Sequence, residues 1–288
     1  MRWVTVATEQ GPRACGVFQG RYVDVNAADS SVPSCVKGIL GSGLDGQKRA
    51  WDAVARGSVV HDPAKVKVLP PIPNPQKIIC IGLNYRDHAI ESGVPIPEEP
   101  VIFAKFPSSL IANGESIVLP SVSTQVDYEA ELVVVMGKGG RHIPREDALS
   151  TVGGYLVGHD VSARDWQLNK PGKQWIAGKT FDTFAPVGTE LVAPDEVPDP
   201  HALGIRLRLN GETMQDSNTN QLIFRIDELI AYLSQVVTLE PGDMIFTGTP
   251  PGVGMARKPP VFLKPGDVVE VEIDQLGLLR NPVVADKH

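Results

Sequence analysis

Only three cysteines, Cys15, Cys35 and Cys80, occur in the 288 residues. They are widely spaced and form no Cys-x-x-Cys pair. That argues against a disulfide framework or a cysteine zinc site and for a reducing compartment. Apolar runs are short, and none approaches the ~20 residues that span a membrane, so no membrane partner is expected. The opening Met1-Arg2-Trp3-Val4-Thr5-Val6 reads as a strand. It has neither a signal-peptide core nor an Arg/Ser-rich transit segment. The expected location is the cytoplasm, or the mitochondrial matrix in a eukaryotic host. Positive charge is also in short supply, with 27 Lys and Arg against 34 Asp and Glu and a formal net charge of −7. Without a basic surface, nucleic acid is not an expected partner.

What is present is ordinary globular material, 42% hydrophobic and 21% charged, punctuated by 28 Gly and 25 Pro. So many turn formers favour strands and loops over a helical bundle. The expected class is a strand-rich α+β fold with few helices. Residues 1–68 read as a small opening unit, with strand-like runs at Trp3 to Ala7, Cys15 to Phe18 and Tyr22 to Val25. A helix is expected from Asp45 to Arg56, with Asp45 as its N-cap. Leu69 to Pro75 holds four prolines and reads as a stiff linker, so the second domain is placed at 69–288. There, strands are expected at Lys77 to Leu83, Val101 to Lys105, Asp127 to Met136, Gly154 to Val161, Gly204 to Leu209, Asp243 to Thr247 and Val268 to Ile273. Apolar spacing predicts one helix from Asp227 to about Val236. Two Pro-Gly turns, at 240–243 and 264–267, suit the type II geometry.

Chemistry gathers in two stretches. In Asp127-Tyr-Glu-Ala-Glu-Leu-Val-Val-Val-Met136, strand alternation turns Glu129 and Glu131 to the same face. Two carboxylates at the edge of a core repel each other and require a cation. A solvated strand end paired with Arg or Lys meets that requirement as well as a metal does. In Gly153-Gly-Tyr-Leu-Val-Gly-His-Asp160, an apolar strand runs into an aspartate that could equally cap the next turn. Three carboxylates with open positions suit a hard cation such as Mg²⁺ or Mn²⁺. His159 faces away from Asp160 and reads as a satisfied structural histidine. His61, His142, His201 and His288 suggest no zinc site. Gly178-Lys179-Thr180 lacks the upstream glycine of a phosphate-binding loop.

Glu129-Ala-Glu131, Asp160-Val-Ser-Ala-Arg-Asp165, Gly178-Lys-Thr-Phe-Asp-Thr-Phe-Ala-Pro-Val-Gly188 and Thr247-Gly-Thr-Pro-Pro-Gly-Val-Gly254 follow one another in order. Over about residues 77–274 this series resembles the fumarylacetoacetate hydrolase family. Gly172-Lys-Gln-Trp175 and Ser217-Asn-Thr-Asn-Gln221 are similar to its domain-containing protein 2 subgroup. The resemblance implies that family's fold, with mixed sheets and few helices, and a homodimer. It implies that Glu129, Glu131 and Asp160 ligate one divalent cation, Mg²⁺ or Mn²⁺, with Ca²⁺ as a further candidate. Ile81 stands where the founding enzyme has an additional aspartate ligand, so water is expected there. Arg164, Gln167, Thr247 and Thr249 are implied to face substrate. Lys179 matches the active-site lysine and Thr183 the threonine near it.

In Asn84-Tyr-Arg-Asp-His88-Ala-Ile-Glu91, His88 and Glu91 are one helical turn apart. A carboxylate so placed orients an imidazole and raises its basicity. A surface pair on a polar helix is the plain alternative. The resemblance favours an acid–base pair in a lid over Asn84 to Pro97, mobile without ligand. It also turns Lys105 from a snorkelling strand-end lysine into a contact for a substrate carboxylate. The expected substrate is a small 2-oxo mono- or dicarboxylic acid reacting through an enolate. The first expectation is keto–enol tautomerisation of oxaloacetate, which the subgroup resemblance implies. The alternatives are hydrolysis of an acylpyruvate or fumarylacetoacetate-type C–C bond, and decarboxylation or isomerisation of an aromatic-degradation intermediate such as 2-hydroxyhepta-2,4-diene-1,7-dioate. Outside enzymes, the competing class is a metal-stabilised binding module. It would have no use for His88, Glu91 and Lys179 around an open metal site.

Overall fold

The computed structural model describes residues 1–57, 59–93 and 95–287. In chain order, the elements that matter begin with β1 (Arg2–Thr8), β2 (Gly11–Phe18), β3 (Arg21–Asp24) and α1 (Gly43–Arg56). They continue with β4 (Ile78–Gly82), α2 (Arg86–Ser92), β5 (Val101–Lys105), β6 (Ala130–Met136) and β7 (Val152–His159). Next come the short helices α3 (Arg164–Asn169) and α4 (Trp175–Lys179), then β8 (Leu191–Val192), β9 (Gly204–Leu209) and β10 (Glu212–Asn218). The last are α5 (Ile226–Val236), β11 (Met244–Phe246), β12 (Val268–Ile273) and β13 (Gly277–Ala285). This is the strand-rich α+β fold with few helices that the Gly and Pro content implies.

The main sheet runs β3-β2-β1-β8-β7-β6-β11-β4-β5. Residues 1–68 therefore extend the sheet that carries the carboxylates, through the pairing of Arg2 and Trp3 with Val192 and Leu191. A second sheet holds β10, β9, β12 and β13. β6 is central and wholly buried, which explains its unbroken apolar run. Leu132, Val134 and Met136 join one core with Leu229, Ile230 and Leu233 of α5. Val133 and Val135 join the other core, with Trp3 and Leu40 of the N-terminal unit. Among the described residues, no helix is long and apolar enough to cross a membrane.

Several expectations shift by a few residues for local reasons. α1 starts at Gly43 with Ser42 at its cap, so Asp45 lies inside the first turn. Val25 opens a short helix capped by the Asp24 side chain rather than ending a strand. Both Pro-Gly turns close as expected, with Gly242 at φ +86° and Gly266 at φ +96°. Asp127 to Met136 is not one strand: Val126–Asp127 and Ala130–Met136 are separate, with Tyr128 and Glu129 between them. The break follows from hydrogen bonding. The Asp127 carboxylate accepts the Tyr128 N–H, and Gln215 Oε1 accepts the Ala130 N–H. Both amides are diverted from a ladder.

Candidate active site and metal centre

β6 and β7 pair antiparallel, Ala130 opposite His159 and Glu131 opposite Gly158. Just past that ladder, the Asp160 N–H donates to the Glu129 carbonyl at 2.9 Å. This backbone bond sets Asp160 beside Glu129, while Glu131 is on β6 itself. Ligand oxygens of all three carboxylates lie within 4.8 Å of one another, and all three residues are buried. They are brought together although Glu129 lies outside the regular strand from which the alternation argument began.

Their partners are unequal. Lys179 Nζ donates to Glu129 Oε2 at 2.7 Å and to Asp160 Oδ2 at 2.9 Å. Arg164 donates to Glu129 Oε1 at 2.6 Å and to Asp127 Oδ2 at 2.8 Å. Burial works to raise the Glu129 pKa, but Lys179 and Arg164 outweigh it and hold the carboxyl at about 2. Among the described residues, Glu131 receives only the Gly248 N–H, at 2.9 Å. Burial first, then the Asp160 and Glu129 carboxylates, push it well above the usual carboxylate range. Among the described residues, Glu131 has no ion pair of the kind its neighbours possess. Three converging oxygen donors, one of them without a cationic partner, fit a hard divalent ion.

The acid–base candidates come to the same cavity. α2 is helical over Arg86–Ser92 and ends at Gly93 in the left-handed conformation. His88 Nδ1 lies 3.3 Å from Glu91 Oε2, and both side chains line the cavity with Glu129, Glu131, Arg164, Gln167 and Lys179. Asn84 bolts this segment down, donating to the carbonyls of Phe224 and Thr247 and accepting the Phe224 N–H. The Gly-rich loop is tied to the site's carboxylates by its own amides. Gly248 donates to Glu131, Gly252 to Glu91 and Gly254 to Asp127. At Gly252, φ is +100°, and a Cβ would stand 2.1 Å from the Met214 carbonyl oxygen, so only glycine fits.

Other expected contacts fall elsewhere. Lys105 does not line the cavity, nor does it snorkel. It is buried, with Nζ 2.7 Å from Asp160 Oδ1 and donating to the carbonyls of Val161, Lys179 and Phe184. Its ammonium is saturated from behind the carboxylates. Thr249 lines the cavity, whereas the Thr247 hydroxyl is spent on the Leu132 carbonyl. Thr183 accepts the Val118 N–H and borders a different cleft. His159 is buried, but among the described residues neither ring nitrogen has a hydrogen-bond partner, contrary to the expected satisfied histidine. Burial, followed by the Lys105 and Lys179 charges, pushes it down to about 3, so it stays neutral. His288 lies outside the described residues. Among the described residues, Glu129, Glu131 and Asp160 form the one cluster with metal-ligand spacing. Sequence reasoning missed Asp127, Asn84, Phe103 and Trp175. Asp127 and Asn84 sit inside the motifs already singled out, next to the residues they position.

The match to known proteins is extensive. Residues 77–284 match the C-terminal region of fumarylacetoacetate (FAA) hydrolase. The chain is 53% identical over 265 residues to a mitochondrial oxaloacetate tautomerase of Xenopus laevis, covering 92% of this chain and 83% of that protein. A putative HpcE protein from Mycobacterium smegmatis has a solved structure that superposes with a TM-score of 0.89 at 42% identity, covering 100% of both chains. The fumarylacetoacetate hydrolase of Exiguobacterium antarcticum superposes with a TM-score of 0.86 at 32% identity, covering 99% of this chain and 100% of that one.

Proposed function

The chain belongs to the fumarylacetoacetate hydrolase family and is an enzyme of it, and on that premise we propose that it is a divalent-metal-dependent keto–enol tautomerase of oxaloacetate. The observation that carries this reading is the cavity that Glu129, Glu131, His88 and Glu91 line together, with Asp160 within ligand distance of both glutamates. The 53% identical Xenopus relative is named for that activity.

Glu129, Glu131 and Asp160 would hold Mg²⁺ or Mn²⁺, both of which favour oxygen donors. When bound, the cation supplies Lewis-acid polarisation of the 2-oxo group. His88 Nδ1 is turned to Glu91, which leaves Nε2 to take the proton from C3. Glu91 steadies the imidazolium so formed. Its own oxygens are held by the Gly252 N–H at 3.1 Å. Lys179 is kept charged by Asp160 and Glu129 despite its burial, and it places that charge beside the oxygen that becomes negative. Arg164 holds Gln167 at 3.0 Å, giving the cavity a fixed amide for the substrate's polar end.

Ile102, Phe106, Ile176 and Val236 are exposed around one apolar cleft beside the edge strand β5. A cleft lined by exposed apolar side chains at a sheet edge is a surface that a second copy of the chain could cover. A homodimer through this face is part of the reading. The proposed division at residue 69 leaves every site residue in the larger part, with residues 1–68 as a scaffold to its sheet. The three cysteines are free thiols, which suits the reducing cytoplasm or mitochondrial matrix.

The test follows enol absorbance and released product together, with oxaloacetate, Mg²⁺ or Mn²⁺, and a chelator control. Metal-dependent interconversion without product release is expected. Stoichiometric release of pyruvate or of a cleaved fragment would replace tautomerisation with decarboxylation or hydrolysis.

A further inference from the structure

We propose that this cavity also takes 2-oxo acids bearing a ring-sized apolar group on C3, and that it tautomerises arylpyruvates; the inference rests on the tautomerase reading and widens its substrate class. The cavity measures about 470 Å³, ample for more than a four-carbon diacid. A second carboxylate finds the Gln167 amide there but, among the described residues, no unshared cation. Among the described residues, the cationic side chains lining the cavity are Arg164 and Lys179. Each is already divided between two carboxylates, Arg164 between Asp127 and Glu129 and Lys179 between Glu129 and Asp160. Glu91 adds a further negative group to the lining. A substrate carboxylate placed away from the 2-oxo end would lose its water without gaining a cation.

A ring finds a wall. Phe103 and Trp175 meet edge to face with centroids 5.5 Å apart. Lys179 Nζ lies 5.0 Å from the centroid of the same Phe103 ring. Trp175 and Lys179 are four residues apart on α4, hence one turn apart on the same face. The aromatic wall therefore starts beside the lysine that faces the reacting oxygen. Gly82 makes room for it, since a Cβ there would come within 2.6 Å of the Trp175 ring. Leu83, Leu168, Val253 and Met255 continue the apolar lining. Edge and offset contacts with Phe103 and Trp175 suit an aryl group better than a carboxylate.

The step is the same isomerisation. The C3–H bond breaks and its proton passes to His88. Its electron pair forms the C2=C3 bond, and the C2=O π pair accepts the proton returned by His88. No oxidant, reductant or co-reactant is consumed.

The experiment compares phenylpyruvate with oxaloacetate on the metal-loaded enzyme, following enol absorbance with buffer catalysis subtracted. Acceleration of phenylpyruvate is the expected result. Trp175→Ala should lower its kcat/KM about tenfold while affecting oxaloacetate less. Met255→Lys, a substitution at a partly exposed wall residue that the fold should tolerate, supplies the missing cation. It should shift the preference toward oxaloacetate by roughly tenfold. Oxaloacetate accelerated and phenylpyruvate not would overturn this inference and leave the tautomerase reading standing. Acceleration of neither would overturn both. Phenylpyruvate accelerated alone would support the inference and remove oxaloacetate as the substrate. An equal loss on both substrates in Trp175→Ala, with no shift in Met255→Lys, would also overturn it.

Discussion

Lys105 Nζ lies 2.7 Å from Asp160 Oδ1, and neither side chain has any contact with solvent. Lys105 does not line the cavity, so it balances Asp160 Oδ1 from outside it, while Lys179 takes Oδ2. Lys105→Met leaves Asp160 buried without this counter-charge. Lys179 still pairs Asp160, so the metal-free variant should be less stable by about 1–3 kcal/mol. Removing a positive charge also favours a cation, so Mn²⁺ should raise the melting temperature of Lys105→Met more than that of the parent. Equal Mn²⁺ shifts in the two proteins would show that Lys105 does not act on the metal position.

The carboxylates predict a pH dependence of the metal-free protein. Glu131 is raised in the folded state, so the fold binds its proton more tightly than the unfolded chain does. That contribution is full below about pH 4.3, the ordinary value, and is lost as pH rises through the folded pKa. Glu129 works the other way, its contribution being lost as pH falls toward about 2. In chelator, stability should therefore decline with rising pH from Glu131, and Glu131→Gln should flatten that decline. Stabilisation by Mg²⁺ should grow with pH in the parent, because binding drives off the Glu131 proton. Thermal denaturation from about pH 5 to about pH 8 reads all three effects. A parent and variant with the same slope would refute the assignment.

His88→Ala removes the proton acceptor but no ligand. Turnover should fall roughly 10²–10⁴-fold, with Mn²⁺ affinity measured by calorimetry unchanged. Glu91→Gln keeps the hydrogen bond to Gly252 available but withdraws the counter-charge, so a smaller loss in kcat is expected. Near-full activity of His88→Ala would move the proton acceptor to another group.

Gly252→Ala places a Cβ against the Met214 carbonyl at φ +100° and disturbs the amide that holds Glu91. A loss of at least about 1 kcal/mol in chemical denaturation is expected, together with a lower kcat at unchanged metal affinity. An active, fully stable alanine variant would show that the loop does not position Glu91.

If α2 is the lid expected over His88, oxalate with Mg²⁺ should slow hydrogen exchange in it. Protection unchanged by oxalate would mean that α2 is as closed without ligand as with it.

The sequence made part of this site readable because local rules govern it. A three-residue spacing on a short polar helix brings His88 to Glu91, as α2 shows. The apolar run after Glu131 announces a doubly covered strand, and β6 is one. Pro-Gly pairs announce their turns, and Gly242 and Gly266 adopt the required φ. The ordered series of motifs from Glu129 to Gly254 was specific enough to identify the family.

Other features depend on partners far along the chain. Lys105 reads as a strand-end lysine facing substrate, but its neighbours Asp160, Val161, Lys179 and Phe184 arrive from three later segments. Glu129 obeys strand alternation in sequence, yet Asp127 and Gln215 divert the amides that would have continued the ladder. Thr247 and Thr183 carry the right residue type, but backbone groups of Leu132 and Val118 claim their hydroxyls. The residue types, the helical spacing and the covered strand were determined by the sequence alone, because each follows from rules that act over a few residues. Which charge faces the cavity and which lies behind it was decided by the tertiary structure, because desolvation and pairing depend on everything that packs around a side chain.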